Sequence, residues 1–349
     1  MMNKENENQL LVVDDLAFSF HTYAGEVQAV RGVSFTLKRG KTLGIVGESG
    51  CGKSVTAKSI VQLNPDKPSG EIKRGKILFD GEDIASLSEK EMEKVRAKKI
   101  RMIFQDPMTS LNPTMPVGKQ IMEGILKSGV TSKEEAKKIA IETLAMAGIP
   151  SPEDRFNQYP HEFSGGMRQR SMIALAMAVN PQLLIADEPT TALDVTTQAQ
   201  ILRLIKKIQK EYNTAIIMIT HDLGVVSNIA DDIAVMYAGQ VIEYGKAEDI
   251  FEHASHPYTW GIMQSIPPEE TTNKEPLHPI LGTPPDLLDP PKGCAFAARC
   301  PYAMKVCRCM QPPRFDVEGE GHQTSCWLYD ERAKGTRKVI NPITGEEVR

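Results

Sequence analysis

The feature that most constrains this chain is the octapeptide at 47–54, which reads Gly-Glu-Ser-Gly-Cys-Gly-Lys-Ser. It follows a short apolar run at 43–46, and a helix is predicted from about Lys53. Glycines let the backbone curl so that its N–H groups face phosphate, and the helix N-terminus adds positive potential. In such a loop the lysine reaches the β- and γ-phosphates, and the Ser54 hydroxyl is a ligand of Mg²⁺. The octapeptide therefore predicts a phosphate-binding P-loop.

A P-loop enzyme also needs a carboxylate at the end of a neighbouring buried strand to hold its metal ion. The apolar run at 183–186 is followed by Asp187, the candidate metal ligand, and by Glu188, which is placed to accept a proton from an attacking water. His221 follows the next apolar run, where the γ-phosphate is expected to lie. These residues predict hydrolysis rather than transfer to an organic acceptor.

The order of apolar patterns predicts an α/β fold with an insertion. Short apolar runs at 183–186 and 216–219, separated by a predicted helix at about 196–212, are typical of buried parallel strands. Helical periods replace strands between about 107 and 180, with predicted helices at 117–127, 132–147 and 167–179. We therefore expect a helical subdomain inserted into an α/β core.

The composition limits the partners that the chain can have. Lys plus Arg number 41 against 45 Asp plus Glu, a net charge of −4, which argues against strong non-specific binding of nucleic acid. The sequence has no apolar run long enough to cross a bilayer, and the acidic, amide-rich start at 1–8 is unlike a secretory signal. We expect a cytoplasmic location, in which any membrane role goes through a partner.

Further motifs follow the P-loop in an order that resembles the ATPase subunits of ATP-binding-cassette (ABC) transporters. Gln105 in Ile-Phe-Gln-Asp is similar to the Q-loop, Phe-Ser-Gly-Gly-Met at 163–167 to the signature motif, Ala-Leu-Asp at 192–194 to the D-loop, and His221 to the switch histidine. Phe163 and Met167 replace the Leu and Gln of the common signature. Because that motif binds phosphate mainly through a serine and backbone N–H groups, we expect it to function here.

The resemblance, which covers about 11–329, implies the fold and the site. The expected fold is α/β, with a RecA-like P-loop NTPase core, an antiparallel β subdomain and the helical subdomain. Two such subunits form a head-to-tail sandwich around ATP, so one chain carries half-sites. Glu188 and His221 are implied as catalytic, Asp194 as the D-loop residue, and Ser54, Gln105 and Asp187 as Mg²⁺ ligands. The implied ATP contacts are Tyr23, Ser49, Gly50, Cys51, Gly52, Lys53, Ser54, Val55, Gln105, Ser164, Gly165, Gly166 and Met167. Tyr23, close to Gly25, is preferred to Phe20 as the aromatic side chain that stacks on adenine.

The segment at 159–170, Tyr-Pro-His-Glu-Phe-Ser-Gly-Gly-Met-Arg-Gln-Arg, is similar to the extended signature of the dipeptide and oligopeptide importer subgroup. Segments at 256–259, 282–285 and 291–303 also resemble that subgroup. The implied function is ATP hydrolysis that drives peptide import at the cytoplasmic face of the membrane. The implied partners are a second ATPase subunit, two permease subunits contacted through about 108–120, and, indirectly, an external peptide-binding protein. Nickel or sugar cargo, an exporter subunit, and a soluble ATPase acting on ribosomes or DNA are the alternatives.

Five of the six cysteines crowd the C-terminal part of the chain, beyond a proline-rich stretch that is predicted to be extended. The intervals between Cys294, Cys300, Cys307 and Cys326 match neither common zinc pairs nor ferredoxin runs, so spacing leaves the metal open. A thiolate set favours an iron–sulfur cluster or Cys₄ zinc, and His322 allows a mixed zinc site. The subgroup resemblance implies a [4Fe–4S] cluster, with Zn²⁺ and metal-free thiols as alternatives and Cys309 as the spare.

We interpret this cysteine segment as a structural crosslink that holds the loop-rich extension together and lies far from the P-loop. The expected domain limits are 9–265 for the ATP-binding domain, with the helical subdomain at about 107–180. The loop-rich, metal-binding C-terminal extension then covers 266–330, and a tail covers 331–349.

Overall fold

The computed structural model describes residues 8–130, 132–191, 193–265, 279–317, 319, 321–333 and 339–348, with the backbone alone at 107 and 108. The strands in these residues are β1 Gln9–Thr22, β2 Gly25–Lys38, β3 Thr42–Val46, β4 Gly70–Phe79, β5 Glu82–Asp83, β6 Ile100–Ile103, β7 Leu183–Asp187, β8 Ala215–Thr220, β9 Asp232–Tyr237, β10 Gln240–Lys246, β11 Phe315–Asp316 and β12 Gln323–Thr324. The helices are α1 Lys53–Ile60, α2 Glu89–Lys98, α3 Pro107–Ser110, α4 Val117–Lys127, α5 Lys133–Met146, α6 Pro152–Arg155, α7 Gly165–Met177, α8 Val195–Tyr212, α9 Leu223–Ser227, α10 Ala247–Glu252, α11 Pro257–Gln264 and α12 Lys305–Cys309.

The chain divides into two compact units, and the first comprises 8–10, Leu37–Thr42 and Ser86–Ile219. In it β6, β7 and β8 run parallel, with Ile100 opposite Leu183 and Leu183 opposite Ala215. Every residue of β7 and β8 is buried, which is why both strands are apolar up to their last residues, Asp187 and Thr220. The predicted parallel strands are confirmed.

Helices α4, α5 and α7 of the first unit pack against one another. The buried residues of α4 include Val117, Ile121 and Ile125, which recur every fourth position and so share one face. Ser132 caps α5 by accepting a hydrogen bond from the backbone N–H of Glu135 at 3.2 Å. The predicted helices at 117–127 and 132–147 are confirmed. Helix α7 begins two residues earlier than predicted because Ser164 is its N-cap.

The second unit comprises Leu11–Thr36, Leu43–Ala85 and the described residues from 220 onward. One of its sheets has the strand order β2-β1-β4-β5, in which β4 is antiparallel to both of its neighbours. This sheet corresponds to the antiparallel β part that the family resemblance implied.

The P-loop strand β3 belongs to the second unit, where it pairs in parallel with β9. Strand β10 joins β9 and β12 in antiparallel pairs, and β12 pairs with β11. The core beside β3 holds three aromatic side chains, Tyr237, Tyr258 and Phe296. Phe296 comes from the C-terminal extension, so that segment is part of the core beside the P-loop strand.

The extension is loop-rich, as predicted. Among its described residues, 279–304 contain no helix, and α12 is five residues long. Three prolines of the predicted extended stretch, Pro267, Pro268 and Pro276, lie outside the described residues. Within the part of the chain that the structure describes, no helix is long and apolar enough to cross a membrane.

Candidate functional site

The P-loop joins β3 to α1 through glycines whose backbone only glycine adopts readily. Gly47, Gly50 and Gly52 have φ values of 150°, 77° and 100°. A Cβ at Gly47 would lie 2.2 Å from the Met236 carbonyl oxygen, and one at Gly52 would lie 2.4 Å from the Ala29 carbonyl oxygen. At Gly50 a Cβ would meet nothing within 4 Å, so the space above the loop is open there.

The residues at 49–55, which are predicted to contact phosphate, therefore lie in one loop and in the first turn of α1. Lys53 is buried, and its Nζ donates hydrogen bonds to the carbonyl oxygens of Gly47 at 2.8 Å and Glu48 at 3.0 Å. Ser54 and Val55 form the first turn of α1 and are half-buried. Burial raises the pKa of the Cys51 thiol, which keeps it neutral and unsuited to act as a nucleophile. The lysine charge is thus held against the P-loop backbone at the start of α1, where a cation and a helix N-terminus together suit an anion.

The candidate carboxylates lie at the end of β7 in the first unit. Asp187 is buried at the last position of the strand, and Glu188 follows with a φ of 49°. The Glu188 backbone N–H donates to the Ile219 carbonyl oxygen at 2.9 Å, which fixes this strained residue to β8.

Two side chains hold the Glu188 carboxylate. Gln105 Nε2 and Thr191 Oγ1 each donate to Glu188 Oε2 at 2.8 Å. The structure thus brings together Gln105, predicted as a metal ligand, and Glu188, predicted as the base. Thr191 was not among the predicted site residues, although its position three residues after Glu188 in a turn could have indicated it.

The signature motif forms the exposed N-terminus of α7. Ser164 Oγ accepts a hydrogen bond from the Met167 backbone N–H at 3.3 Å, and a Cβ at Gly165 would meet nothing within 4 Å. Phe163, one of the two residues that depart from the common signature, is buried, so it contributes to packing and leaves the helix terminus accessible. A serine cap followed by a glycine with open space around it is suited to bind phosphate.

Two predicted site residues, Tyr23 and His221, occupy exposed positions. Tyr23 lies in the turn between β1 and β2 and is fully exposed, whereas Phe20 packs edge-on against Phe18 with ring centroids 5.0 Å apart. His221 is exposed directly after β8.

Asp194 is the N-cap of α8. It accepts hydrogen bonds from the Thr197 backbone N–H at 2.9 Å and from Thr197 Oγ1 at 2.7 Å, and these bonds lower the pKa of its carboxyl. Ala192, the first residue of the predicted D-loop motif, lies outside the described residues.

Comparison with known proteins gives the family. Residues 30–191 match the ABC transporter family, and 242–307 match the oligopeptide/dipeptide transporter C-terminal region. The chain is 62% identical over 320 residues to the oligopeptide transport ATP-binding protein OppD of Bacillus subtilis, covering 92% of this chain and 89% of that protein. The chain belongs to the ABC transporter ATPase family.

Other relatives agree with this assignment. The chain is 53% identical over 326 residues to the dipeptide transport ATP-binding protein DppD of B. subtilis, covering 93% of this chain and 96% of that protein. The dimeric post-hydrolysis structure of the ATP-binding cassette MJ0796 bound to ADP and Pi matches with a TM-score of 0.61 and 29% identity, over 68% of this chain and 99% of that one. The ABC ATPase fold predicted for the chain is confirmed.

The cysteines of the extension face one small cavity. Cys294, Cys300, Cys307 and Cys326 all line it, whereas Cys309 is exposed and does not. Its volume of about 20 Å³ is space for about one water molecule. No group of three or more His, Cys, Asp or Glu side chains in the described residues is arranged to hold a metal ion. The predicted iron–sulfur cluster and the zinc alternative therefore gain no support from a preformed ligand set.

Burial of the side chains that line this cavity favours their neutral forms. It raises the pKa of the Cys294 and Cys326 thiols. The mixed zinc site through His322 was wrong, because His322 does not line the cavity and its Nε2 instead pairs with Glu243 Oε1 at 2.9 Å. The histidine that does line the cavity is His256. Its Nδ1 accepts from the Tyr258 backbone N–H at 3.0 Å, and burial lowers its pKa to about 3.

The expectation that the cysteine segment lies far from the P-loop was also wrong. Arg299, the residue before Cys300, forms two hydrogen bonds with the carboxylate of Glu48 inside the P-loop. Cys294 and Cys300 pack against the same core as Val46, the last residue of β3. Contacts between residues some 250 positions apart cannot be deduced from motif spacing.

Proposed function

We propose that this chain is the ATP-hydrolysing subunit that energises the import of dipeptides or oligopeptides through a membrane ABC transporter. The observation that carries the proposal is the 62% identity to an oligopeptide transport ATP-binding protein over 92% of this chain. The match of 242–307 to the oligopeptide/dipeptide transporter C-terminal region supports peptide rather than nickel or sugar as the cargo.

The proposed roles within one chain follow the chemistry of each group. Lys53 and the P-loop N–H groups bind the β- and γ-phosphates, and Tyr23 stacks on adenine. Glu188 accepts the proton of the attacking water. The hydrogen bonds from Gln105 and Thr191 at 2.8 Å support this role because they fix the orientation of the carboxylate. His221 contacts the γ-phosphate.

Mg²⁺ is expected with ATP, and the residues present suit it. Ser54, Gln105 and Asp187 offer the hydroxyl, amide and carboxylate oxygens that this hard cation prefers. When bound, Mg²⁺ neutralises charge on the β- and γ-phosphate oxygens. Ser54 lies in the first turn of α1, Gln105 follows β6, and Asp187 is the last residue of β7.

The second half of each ATP site is proposed to come from a partner subunit. Ser164, Gly165, Gly166 and Met167 form an exposed helix N-terminus, which suits contact with the γ-phosphate of ATP bound to another subunit. Asp194, the D-loop residue, is proposed to act in the same interface. The dimeric ABC cassette MJ0796 supports a dimer of ATPase domains.

The proposed complex contains two permease subunits, contacted through about 108–120, and an external peptide-binding protein that delivers the cargo. Its ATPase subunits lie at the cytoplasmic face of the membrane as peripheral proteins. The proposed domain limits are 9–265, with the helical subdomain at about 107–180, followed by 266–330 and a tail at 331–349. Action on ribosomes or DNA is disfavoured by the net charge of −4 and by the match to the peptide-transporter C-terminal region.

The four cysteines are proposed to hold a metal centre, with a [4Fe–4S] cluster as the first candidate and Zn²⁺ as the alternative. The support is that Cys294, Cys300, Cys307 and Cys326 line one cavity, from which the exposed Cys309 is absent. Soft thiolate ligands suit both iron–sulfur clusters and zinc.

Purification of the tagged chain from its native membranes tests the proposed function. We expect permease subunits to co-purify, and we expect the solute captured by the associated binding protein to be a peptide when it is identified by mass spectrometry. Capture of a sugar or of nickel would contradict the peptide assignment. Recovery with ribosomes in place of permeases would contradict the transport assignment.

A further inference from the structure

The second residue of the P-loop, Glu48, is held by the C-terminal extension. Arg299 Nη1 donates to Glu48 Oε2 at 2.8 Å, and Arg299 Nη2 donates to Glu48 Oε1 at 3.0 Å. The Arg299 side chain is only 6% exposed, and that of Glu48 is 29% exposed. A bidentate, largely buried arginine–carboxylate pair is stronger and more directional than an ordinary surface ion pair.

The Arg299 side chain is held in place by hydrogen bonds from each of its guanidinium N–H groups. Besides Glu48, its Nε donates to the Leu281 carbonyl oxygen at 3.0 Å, Nη2 to the Ile280 carbonyl oxygen at 3.1 Å, and Nη1 to the Tyr237 hydroxyl at 3.2 Å. All five guanidinium N–H groups therefore have an acceptor. The guanidinium also lies over the ring of Tyr237, 5.8 Å from its centroid. Such a group presents the Glu48 carboxylate with a rigid partner.

The backbone of Glu48 connects this clamp to the phosphate-binding lysine. Its N–H donates to the Tyr258 hydroxyl at 2.9 Å, and its carbonyl oxygen accepts from Lys53 Nζ at 3.0 Å. Tyr258 is fully buried against Tyr237, with ring centroids 4.6 Å apart. The side chain, the N–H and the carbonyl of Glu48 are thus each held by a separate partner.

We propose that Arg299 is a positioning residue of the ATP site, which acts through Glu48 to hold the P-loop in its phosphate-binding shape. This inference rests on the proposed ATP site. Three glycines with positive φ make the loop costly to order, because glycine loses more conformational freedom on folding than other residues. If the P-loop adopts its phosphate-binding shape for only a fraction of the time, the apparent affinity for ATP is reduced in proportion to that fraction. Anchoring Glu48 from the extension raises that fraction.

The test is titration of the purified full-length chain with a non-hydrolysable ATP analogue and Mg²⁺, together with steady-state ATP hydrolysis. We expect Arg299→Gln to weaken analogue binding about tenfold and to raise the KM for ATP, while kcat at saturating ATP changes by less than about threefold. Arg299→Lys keeps the positive charge but cannot form the bidentate pair with the carboxylate, so we expect an intermediate loss of analogue affinity. The matched control is Arg332→Gln, which removes an exposed arginine paired with Asp330 just beyond the extension and should leave affinity unchanged.

A double-mutant cycle with Glu48→Gln shows whether Arg299 acts on the P-loop through Glu48 or only stabilises the extension. If Arg299 acts through Glu48, Arg299→Gln should cost less than about threefold in affinity once Glu48 is already Gln. Full additivity, or an affinity of Arg299→Gln within twofold of the wild type, would overturn the inference. If the melting temperature shows that Arg299→Gln does not fold, the same affinity measurements are made on Arg299→Lys, and the same two results would overturn the inference. Failure of the wild-type chain to bind the analogue would instead refute the proposed ATP site.

Discussion

Substitution of Glu188 by Gln removes a charge at the proposed base while preserving its shape. In the wild-type chain Glu188 Oε2 accepts from Gln105 Nε2 and from Thr191 Oγ1, both at 2.8 Å. A glutamine placed with its amide oxygen at the Oε2 position keeps both bonds. The substitution therefore perturbs the proton-accepting chemistry and leaves the packing intact.

The expected magnitude follows from that role. General-base catalysis contributes about 10²–10⁴-fold, which corresponds to about 3–5 kcal/mol of transition-state stabilisation. We therefore expect turnover of Glu188→Gln to fall to about 1% of wild type or less. Affinity for ATP should stay nearly unchanged, because the charge lost acts mainly on the transition state, and ATP-bound dimers should accumulate.

Steady-state ATP hydrolysis, paired with equilibrium binding of ATP, measures both quantities. The control is Glu142→Gln, which makes the same chemical change at an exposed position on α5, where Glu142 lies 3.9 Å from Lys138. That variant should retain wild-type turnover. Turnover of Glu188→Gln above about a tenth of the wild-type rate would refute the assignment of Glu188 as the base.

Three further predictions test other parts of the account. Thr191→Val removes the hydrogen bond from Thr191 Oγ1 to Glu188 Oε2, so turnover should fall about two- to tenfold at unchanged ATP affinity, and an unchanged rate would exclude Thr191 from the site. Lys53→Ala removes a charge that contacts phosphate in the ground state as well as the transition state, so titration with a non-hydrolysable analogue should show weakened binding, in contrast to Glu188→Gln. Anaerobically purified protein should be brown, with about four irons per chain; Cys326→Ser should remove the colour and Cys309→Ser should not, whereas stoichiometric zinc without iron would exclude the cluster.

The sequence was most informative where each structural requirement is met by neighbouring residues. The P-loop is one octapeptide, and strands β7 and β8 could be predicted because both are buried throughout and are apolar up to the polar residue that ends each strand. The start of α5 was predicted from Ser132 and Glu135, because an N-cap is a local interaction. In each case the physical cause lies within a few residues of its effect.

The contacts that the sequence did not indicate join distant residues. Arg299 and Glu48 are 251 positions apart, and nothing in the periodicity of either segment relates them. His256 lines the cysteine cavity although it precedes α11 and is far from Cys294 in the sequence, whereas the histidine considered from the sequence was His322, which lies between Cys307 and Cys326. Tertiary packing decides such pairs, which is why the role of the extension beside the P-loop emerged only from the structure.

Peptide-stimulated ATP hydrolysis tests the central claim most directly. The chain is reconstituted in liposomes with its co-purified partner ATPase and permease subunits, and ATP turnover is measured with peptide-loaded, sugar-loaded and unloaded binding protein. We predict stimulation by the peptide-loaded form alone, and loss of that stimulation when this chain carries Glu188→Gln. Equal turnover with all three forms, or stimulation by sugar, would contradict the account.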